Sequence, residues 1–255
     1  QDAPLEGIRR VLEIFENRKL PRGEILDISN VASIRMGTTL ATNCALERNG
    51  EPCAFVTTKG FKDTLLIGDQ TRPKIFDLNI QKDKPLYETV VEIDERVTLE
   101  DYSEQSPFHK TIPSNAQHTY EGKSGEIVRV LKVPDEIEVK KALNTILRKG
   151  IKSVAVAFMH SYTYPFHEQI VGRIAKEVGF THISLSSEVS PMIKFLPRAH
   201  SSVADAYLTP VIQKYLDSIS QGLTNASNTS IQFMQSDGGL VEGSKFSGLR
   251  SILSG

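Results

Sequence analysis

Val31-Ala32-Ser33-Ile34-Arg35-Met36-Gly37-Thr38-Thr39-Leu40-Ala41-Thr42-Asn43 joins two hydrophobic patterns at a glycine. Val31 to Ile34 is rich in β-branched and small residues, as a short strand is. Leu40, Ala41, Cys44, Ala45 and Leu46 recur at helical spacing. A strand that ends in glycine and hydroxyl residues and then opens a helix has the makings of an anion site. The first-turn N–H groups are free, the helix dipole adds partial positive charge, and glycine admits a ligand to the backbone. The same residues also serve as an ordinary strand-to-helix turn with a threonine cap.

Outward from this stretch the chain alternates strands and helices. Pro4 to Arg18 is an amphipathic helix with Ile8, Val11, Leu12 and Phe15 on one face and Glu6, Arg9, Arg10 and Glu13 elsewhere. Cys53 to Thr58 is a second apolar strand, so residues 31–58 are expected to form a βαβ unit with a parallel pair. A strand at 126–130 and a helix ended by Gly150 lead to Ser153-Val154-Ala155-Val156-Ala157-Phe158. That continuous apolar run suits a strand buried on both faces of a parallel sheet. A helix over 165–178 and a strand over 182–185 follow. This alternation predicts an α/β protein with a mainly parallel sheet. A long helix runs from about Ala199 to Leu223, and Pro210 predicts a kink or break near Leu208–Thr209. A last strand ends in Gln235-Ser236-Asp237-Gly238-Gly239-Leu240. Its glycines offer backbone N–H groups to phosphate and Asp237 a carboxylate to a hydrated magnesium ion, although a hairpin turn has the same composition.

Composition removes several classes of function. Thirty Lys and Arg against 31 Asp and Glu give a net charge of −1, so nothing points to nucleic acid or an acidic membrane surface. The two cysteines, Cys44 and Cys53, make no metal-ligand spacing and fit a reduced, intracellular protein. No apolar run is long enough to span a bilayer. The chain opens on Gln1 and stops in the apolar stretch Ser251 to Gly255, so both ends read as cut. Residues 100–124 are polar, carry Pro107 and Pro113, and read as a mobile surface insertion in which His109 and His118 are simply solvated.

Other residues carry chemistry by type and place. The loop Gly68-Asp69-Gln70-Thr71-Arg72-Pro73 holds an acid, an amide and a guanidinium within a few residues. His160 follows the central strand at the end where open α/β sheets place ligands. Asp94-Glu95-Arg96 reads as a surface charge cluster. His167 and Glu168 read as a helix-start pair at the surface.

Taken in order, Met36 to Asn43, Gly68 to Pro73, Asp94-Glu95-Arg96-Val97, Phe158-Met159-His160-Ser161-Tyr162 and Gln235 to Leu240 resemble the ATP-dependent hydantoinase/5-oxoprolinase family, nearest its eukaryotic, fungal-type 5-oxoprolinases. The resemblance covers nearly the whole chain outside the insertion. It implies an actin/Hsp70/sugar-kinase-like fold of two ribonuclease-H-like lobes, incomplete at both ends. It also implies a hydantoinase/oxoprolinase N-terminal-like region over 1–196 and the start of a hydantoinase-A-like lobe over 197–255.

By that resemblance the parent opens 5-oxo-L-proline with ATP and water to give L-glutamate, ADP and phosphate, as part of glutathione metabolism. Gly37, Thr38 and Thr39 would belong to the catalytic cleft. Ser236, Asp237, Gly238 and Gly239 would form the phosphate-binding turn, with ATP and Mg2+ as cofactors and Asp237 at the metal. Asp69, Arg72 and His160 are assigned to substrate or cleft, partly on the loop and strand-end arguments. The implied partners are a small cyclic amide, the hydantoinase-B-like half of the parent and a second copy in a homodimer. The family's Asp-Gly-Gly-Thr-Phe-Thr-Asp-type hairpin and its Pro-Ala-Gly-Gly run do not occur in these residues, so the piece alone is expected not to turn over. A hydantoin-cleaving enzyme, a ketone-carboxylase-type subunit and a non-catalytic binding module are the other readings.

Overall fold

The computed structural model describes residues 3–69, 71, 74–80, 82–99, 118–226 and 229–254. In chain order they form α1 (Ala3–Glu16), β1 (Leu26–Asp27), β2 (Ser33–Met36), α2 (Leu40–Glu47), β3 (Cys53–Thr58), α3 (Thr64–Ile67), β4 (Thr89–Ile93), β5 (Arg96–Leu99), β6 (Thr119–Glu121) and β7 (Ile127–Lys132). Then come α4 (Glu136–Leu147), β8 (Ser153–Ala157), α5 (Phe166–Val178), β9 (His182–Leu185), α6 (Ser186–Val189), α7 (Phe195–Gln221), β10 (Leu223–Thr224), β11 (Ser230–Met234), β12 (Leu240–Glu242) and α8 (Gly248–Ser251). The chain divides into two units, residues 1–50 with 208–255, and residues 51–207. The boundary expected at 196/197 therefore falls inside α7, and the first unit is built from both ends of the chain.

In the unit of residues 51–207, β4, β3, β8 and β9 form a four-stranded, all-parallel sheet in that order. Every residue of β3 and β8 is buried, as an unbroken apolar run predicts. Helices α4 and α5 cover the sheet through Val139, Leu143, Ile146, Val171 and Ile174. Asp135 caps α4 by accepting N–H bonds from Ile137 and Glu138. Strands β5, β7 and β6 make a separate antiparallel sheet. Thr119–Glu121 thus lies in a strand paired to β7, inside the stretch read as an insertion. Gly122 next to it lets Thr163 approach so closely that a Cβ would meet its Oγ1 at 2.0 Å. Residues 100–117, including His109, lie outside the described residues.

In the other unit, β2 pairs in parallel with β11, and β12 returns antiparallel to β11. Leu12, Leu26, Ile28, Ala41, Ile212, Leu216, Phe233 and Phe246 fill its core. The expected parallel pairing of β2 with β3 does not occur. β2 finds its partner about two hundred residues away, and β3 lies between β4 and β8. In α1 the buried residues are Leu5, Arg9 and Leu12, whereas Val11 and Phe15 are exposed. Arg9 tolerates burial because Glu6, Glu13 and the Leu20 carbonyl take up its guanidinium.

Helix α7 continues through Pro210 without the expected break. The proline cannot donate to the Ala206 carbonyl, and Ser153 Oγ donates to it instead at 2.6 Å. The next carbonyl, of Tyr207, accepts from Glu51 N at 2.9 Å.

Candidate functional site

The parallel register of β2 and β11 matches Met36 to Phe233, which brings the C-terminal ends of the two strands side by side. Gly37–Thr39 and Ser236–Gly239 therefore share one edge of their sheet. A Cβ on Gly37 would lie 3.3 Å from Met234 Cε and 3.5 Å from the Ser254 carbonyl, so the two segments pack closely here. Segment 251–254 ties the two stretches together. Ser254 Oγ donates to the Thr38 carbonyl at 3.1 Å, Leu253 N donates to Ser236 Oγ at 3.0 Å, and Thr42 Oγ1 donates to the Ile252 carbonyl.

The two halves of this edge differ in what they offer an anion. Thr39 is the residue before α2, and its side chain makes no capping bond. Thr38 Oγ1 accepts from Leu40 N at 3.1 Å. The first turn is therefore satisfied only in part by a neighbouring side chain. In the turn between β11 and β12 the amides are largely used internally. Ser236 N donates to the Arg250 carbonyl, Gly238 N to the Gln235 carbonyl and Gly239 N to Asp237 Oδ1. Gly238 has φ +82°, which its lack of a side chain allows. Gln235 is buried, and its Nε2 has no partner among the described residues.

Asp237 is exposed, and one of its oxygens is occupied by Gly239 N–H. Among the described residues no group of three or more His, Cys, Asp or Glu could hold a metal. A magnesium ion that keeps several waters and takes its remaining ligands from phosphate needs only one or two carboxylates, and Asp237 Oδ2 fits that demand.

His160 and Asp69 belong to the other unit, and Arg72 lies outside the described residues. His160 sits two residues beyond Phe158, at the C-terminal end of β8, in a turn where its φ is +58°. Such a backbone is uncommon for a residue with a Cβ and persists only where its surroundings hold it. Here Phe158 N donates to Glu168 Oε1 at 2.9 Å, and Arg198 Nη2 donates to the Phe158 carbonyl at 2.9 Å. Arg198 also binds Ser161 Oγ, Ser186 Oγ at 2.5 Å and the Met192 carbonyl at 3.0 Å. Met159 N donates to Thr58 Oγ1, which in turn donates to Glu95. Glu95 Oε2 lies 2.7 Å from His167 Nδ1. His160 lines a cleft of about 430 Å3 with Glu126, Tyr162 and Phe195. Partial burial, reinforced by the Arg198 charge, lowers its pKa and keeps the imidazole neutral near pH 7.

Three sequence-based placements are overturned here. Glu95 is 1 % exposed and is not part of a surface cluster. His167 and Glu168 are 2 % and 0 % exposed and not at the surface. Each is buried because it is hydrogen-bonded, Glu95 to Thr58 and His167, Glu168 to Phe158, Ser186 and Ser187. Arg198 was not singled out at all. Nothing local marks it, since its partners lie 6 to 40 residues away.

Asp69 lines a larger cleft of about 750 Å3, with Leu65, Gly68, Lys82, Leu196 and His200 around it. Its Oδ1 accepts from Thr71 N at 3.0 Å, and the Thr71 hydrogen bonds hold its carboxyl below the usual range. Among the described residues no helix is long and apolar enough to cross a membrane.

Residues 1–179 match the hydantoinase/oxoprolinase N-terminal region model, and residues 198–255 match the hydantoinase/oxoprolinase model. Over its whole length the chain is 72% identical to a 5-oxoprolinase of Saccharomyces cerevisiae and 48% identical to 5-oxoprolinase 1 of Arabidopsis thaliana. It spans about a fifth of the length of these curated relatives, 20% in each case. Among solved structures it superposes over its full length on the ATP-dependent caprolactamase of Pseudomonas jessenii, with TM-score 0.72, 20% identity and 34% of that chain covered. The nucleotide-free acetone carboxylase matches with TM-score 0.70, 16% identity and the same 34% coverage. These two likenesses establish a shared fold, in keeping with the mixed α/β, parallel-sheet architecture of the actin/Hsp70/sugar-kinase class. With both models matched over most of its length, the chain belongs to the hydantoinase/oxoprolinase family.

Proposed function

We propose that the full-length protein opens 5-oxo-L-proline in an ATP-dependent reaction, giving L-glutamate, ADP and phosphate. The observation that carries this reading is the 72% identity, across the whole chain, to the Saccharomyces cerevisiae 5-oxoprolinase. The enzyme would act in the cytosol, in glutathione metabolism, with a hydantoinase-B-like half completing the chain and a second copy forming a homodimer.

The residues at the shared edge of β2 and β11 suit this chemistry. A lactam is a stabilised amide and a poor electrophile, and ATP would supply the phosphoryl group that turns its oxygen into a leaving group. The first turn of α2, whose Leu40 N–H is taken by Thr38 Oγ1, would bind phosphoryl oxygens through its remaining backbone N–H groups. Gly37 leaves the backbone open there, and the Thr38 and Thr39 hydroxyls stand beside it as further donors. Asp237 Oδ2 would hold a hydrated Mg2+, and Ser236 with Gly238 and Gly239 would let phosphate approach the turn. The turn must release Gly239 N–H from Asp237 to offer it to a phosphate. In the unit of residues 51–207, Asp69 with Arg72 would bind and orient the cyclic amide, while His160, which lines a separate cleft, would act as a further substrate-side residue. Such work is mostly positioning and charge stabilisation, with no protein nucleophile needed.

The test is product stoichiometry. Full-length protein incubated with 5-oxoproline, ATP and Mg2+ is expected to release glutamate and phosphate one to one. Absence of glutamate under those conditions, with the protein folded, overturns the reading.

A further inference from the structure

The cleft beside Asp69 holds a cation whose placement is built into the fold. Lys82 Nζ donates to the Ile67 carbonyl at 2.6 Å and to the Asp69 carbonyl at 3.1 Å. Gly68, between those two residues, has φ +60°, and a Cβ there would come within 3.3 Å of the Lys82 nitrogen. Glycine at 68 takes the left-handed backbone, and its open side faces the ammonium. Two of the three ammonium protons are committed to carbonyls, and among the described residues the third has no acceptor and can serve a ligand. The Asp69 carboxylate lines the same cleft, held in place by the Thr71 N–H and side chain, and a carboxylate with two oxygens has acceptor capacity beyond those bonds. Leu65, Leu196 and Pro197 supply an apolar wall.

An acceptor and a cation held next to each other match one feature of a cyclic amide derived from an α-amino acid. In 5-oxoproline the ring N–H and the carboxylate are carried by adjacent atoms. A plain lactam such as 2-pyrrolidinone has the same ring and N–H but no carboxylate. We propose that Asp69 accepts the ring N–H while Lys82 binds the neighbouring carboxylate, which makes Lys82 the residue that selects carboxylated cyclic amides over plain lactams. The proposal rests on the cyclic-amidase reading and adds to it a choice among rings that the motifs alone leave open. Opening the ring turns the N–H into the ammonium of glutamate, so the same pair also suits the α-amino-acid end of the product.

The experiment compares Lys82→Met with the parent full-length protein, using 5-oxoproline and 2-pyrrolidinone. Binding is followed by calorimetry and ATP-dependent ring opening by product release. Loss of a charge-assisted hydrogen bond predicts about a ten- to hundredfold weaker affinity for 5-oxoproline. KM should rise accordingly, kcat should change little, and whatever 2-pyrrolidinone binding the parent shows should persist. Equal loss for both ligands would mean that Lys82 only ties down the end of α3, and unchanged 5-oxoproline binding would mean that the ammonium touches no substrate. Either result overturns the proposal. If no cyclic amide is opened, the functional reading fails, while a Lys82-dependent affinity for 5-oxoproline still upholds the site. Should Lys82→Met not fold, Leu196→Trp, which fills the cleft from the other wall, is expected to abolish 5-oxoproline binding. Retained binding in that folded variant places the ligand elsewhere and overturns the proposal.

Discussion

Arg198 and Glu168 lie 3.6 Å apart with neither side chain exposed to solvent, and between them they bind both the carbonyl and the N–H of Phe158. Two buried ions are thus spent on one peptide at the end of the central strand, immediately before the turn that carries His160. An ion pair in the interior is costly to desolvate, and it is retained here where hydrogen bonds satisfy nearly every donor and acceptor it has. Arg198→Met leaves Glu168 buried without its cation and is expected to cost about 3–5 kcal/mol of stability. Urea unfolding measures this, and a loss below about 1 kcal/mol would show that the pair is not held as described.

The same network governs a histidine titration. Burial and the Arg198 charge lower the pKa of His160 from its ordinary 6.5. The unfolded chain therefore binds a proton there more readily than the folded one, so stability falls as pH drops through 6.5. Nuclear magnetic resonance should find the His160 midpoint below 6.5, and His160→Gln should lessen the loss of stability between pH 7 and pH 5.5. A midpoint above 6.5 contradicts the placement of the ring.

Gly248 lies against α7. A Cβ there would meet Leu208 Cβ at 2.4 Å and Thr209 N at 2.7 Å, and Gly248 N donates to Thr209 Oγ1 at 2.9 Å. The obstructing atoms are close to backbone and cannot swing aside. Gly248→Ala should therefore destabilise by about 1–3 kcal/mol through overpacking. Thermal unfolding checks it, and an unchanged melting temperature would contradict the contact.

Both cysteines are free and buried. Burial pushes the Cys53 thiol up to about 12, helped by the nearby Glu88 charge, and raises Cys44 as well. Since the thiolate is the reactive form, neither should react with a disulfide reagent at pH 8 until the protein unfolds. Rapid labelling of Cys53 in the native protein would overturn its place in β3.

The elements were legible where a local pattern suffices. The apolar runs of β3 and β8 and the Asp135 cap of α4 are all written within a few residues of themselves. Pairing was not legible in the same way. β2 and β3 look like neighbours because a helix joins them, yet β2 lies against β11, and no local periodicity encodes that. The Pro210 break was foreseen from a missing N–H, but Ser153, 53 residues before Ala206, answers the freed carbonyl. At the site, the two glycine-bearing strand ends were recognisable by composition and the structure sets them on one edge. The buried charges Glu95, Glu168 and Arg198 were misread or missed because a charged residue signals the surface until its distant partners are known.

The edge formed by Gly37–Thr39 and Ser236–Gly239 is where phosphoryl transfer is proposed, and a single substitution at Thr39 separates a chemical role from a structural one. In the full-length protein, Thr39→Ala is measured for melting temperature and for kcat of ATP-dependent glutamate release. Thr39 makes no capping bond, so the melting temperature should stay at the parental value. Loss of one preorganised donor near a transferring phosphoryl group predicts a fall in kcat of about 10²–10³. A variant that melts earlier but keeps parental kcat would make Thr39 a structural residue and remove the phosphoryl site from this edge.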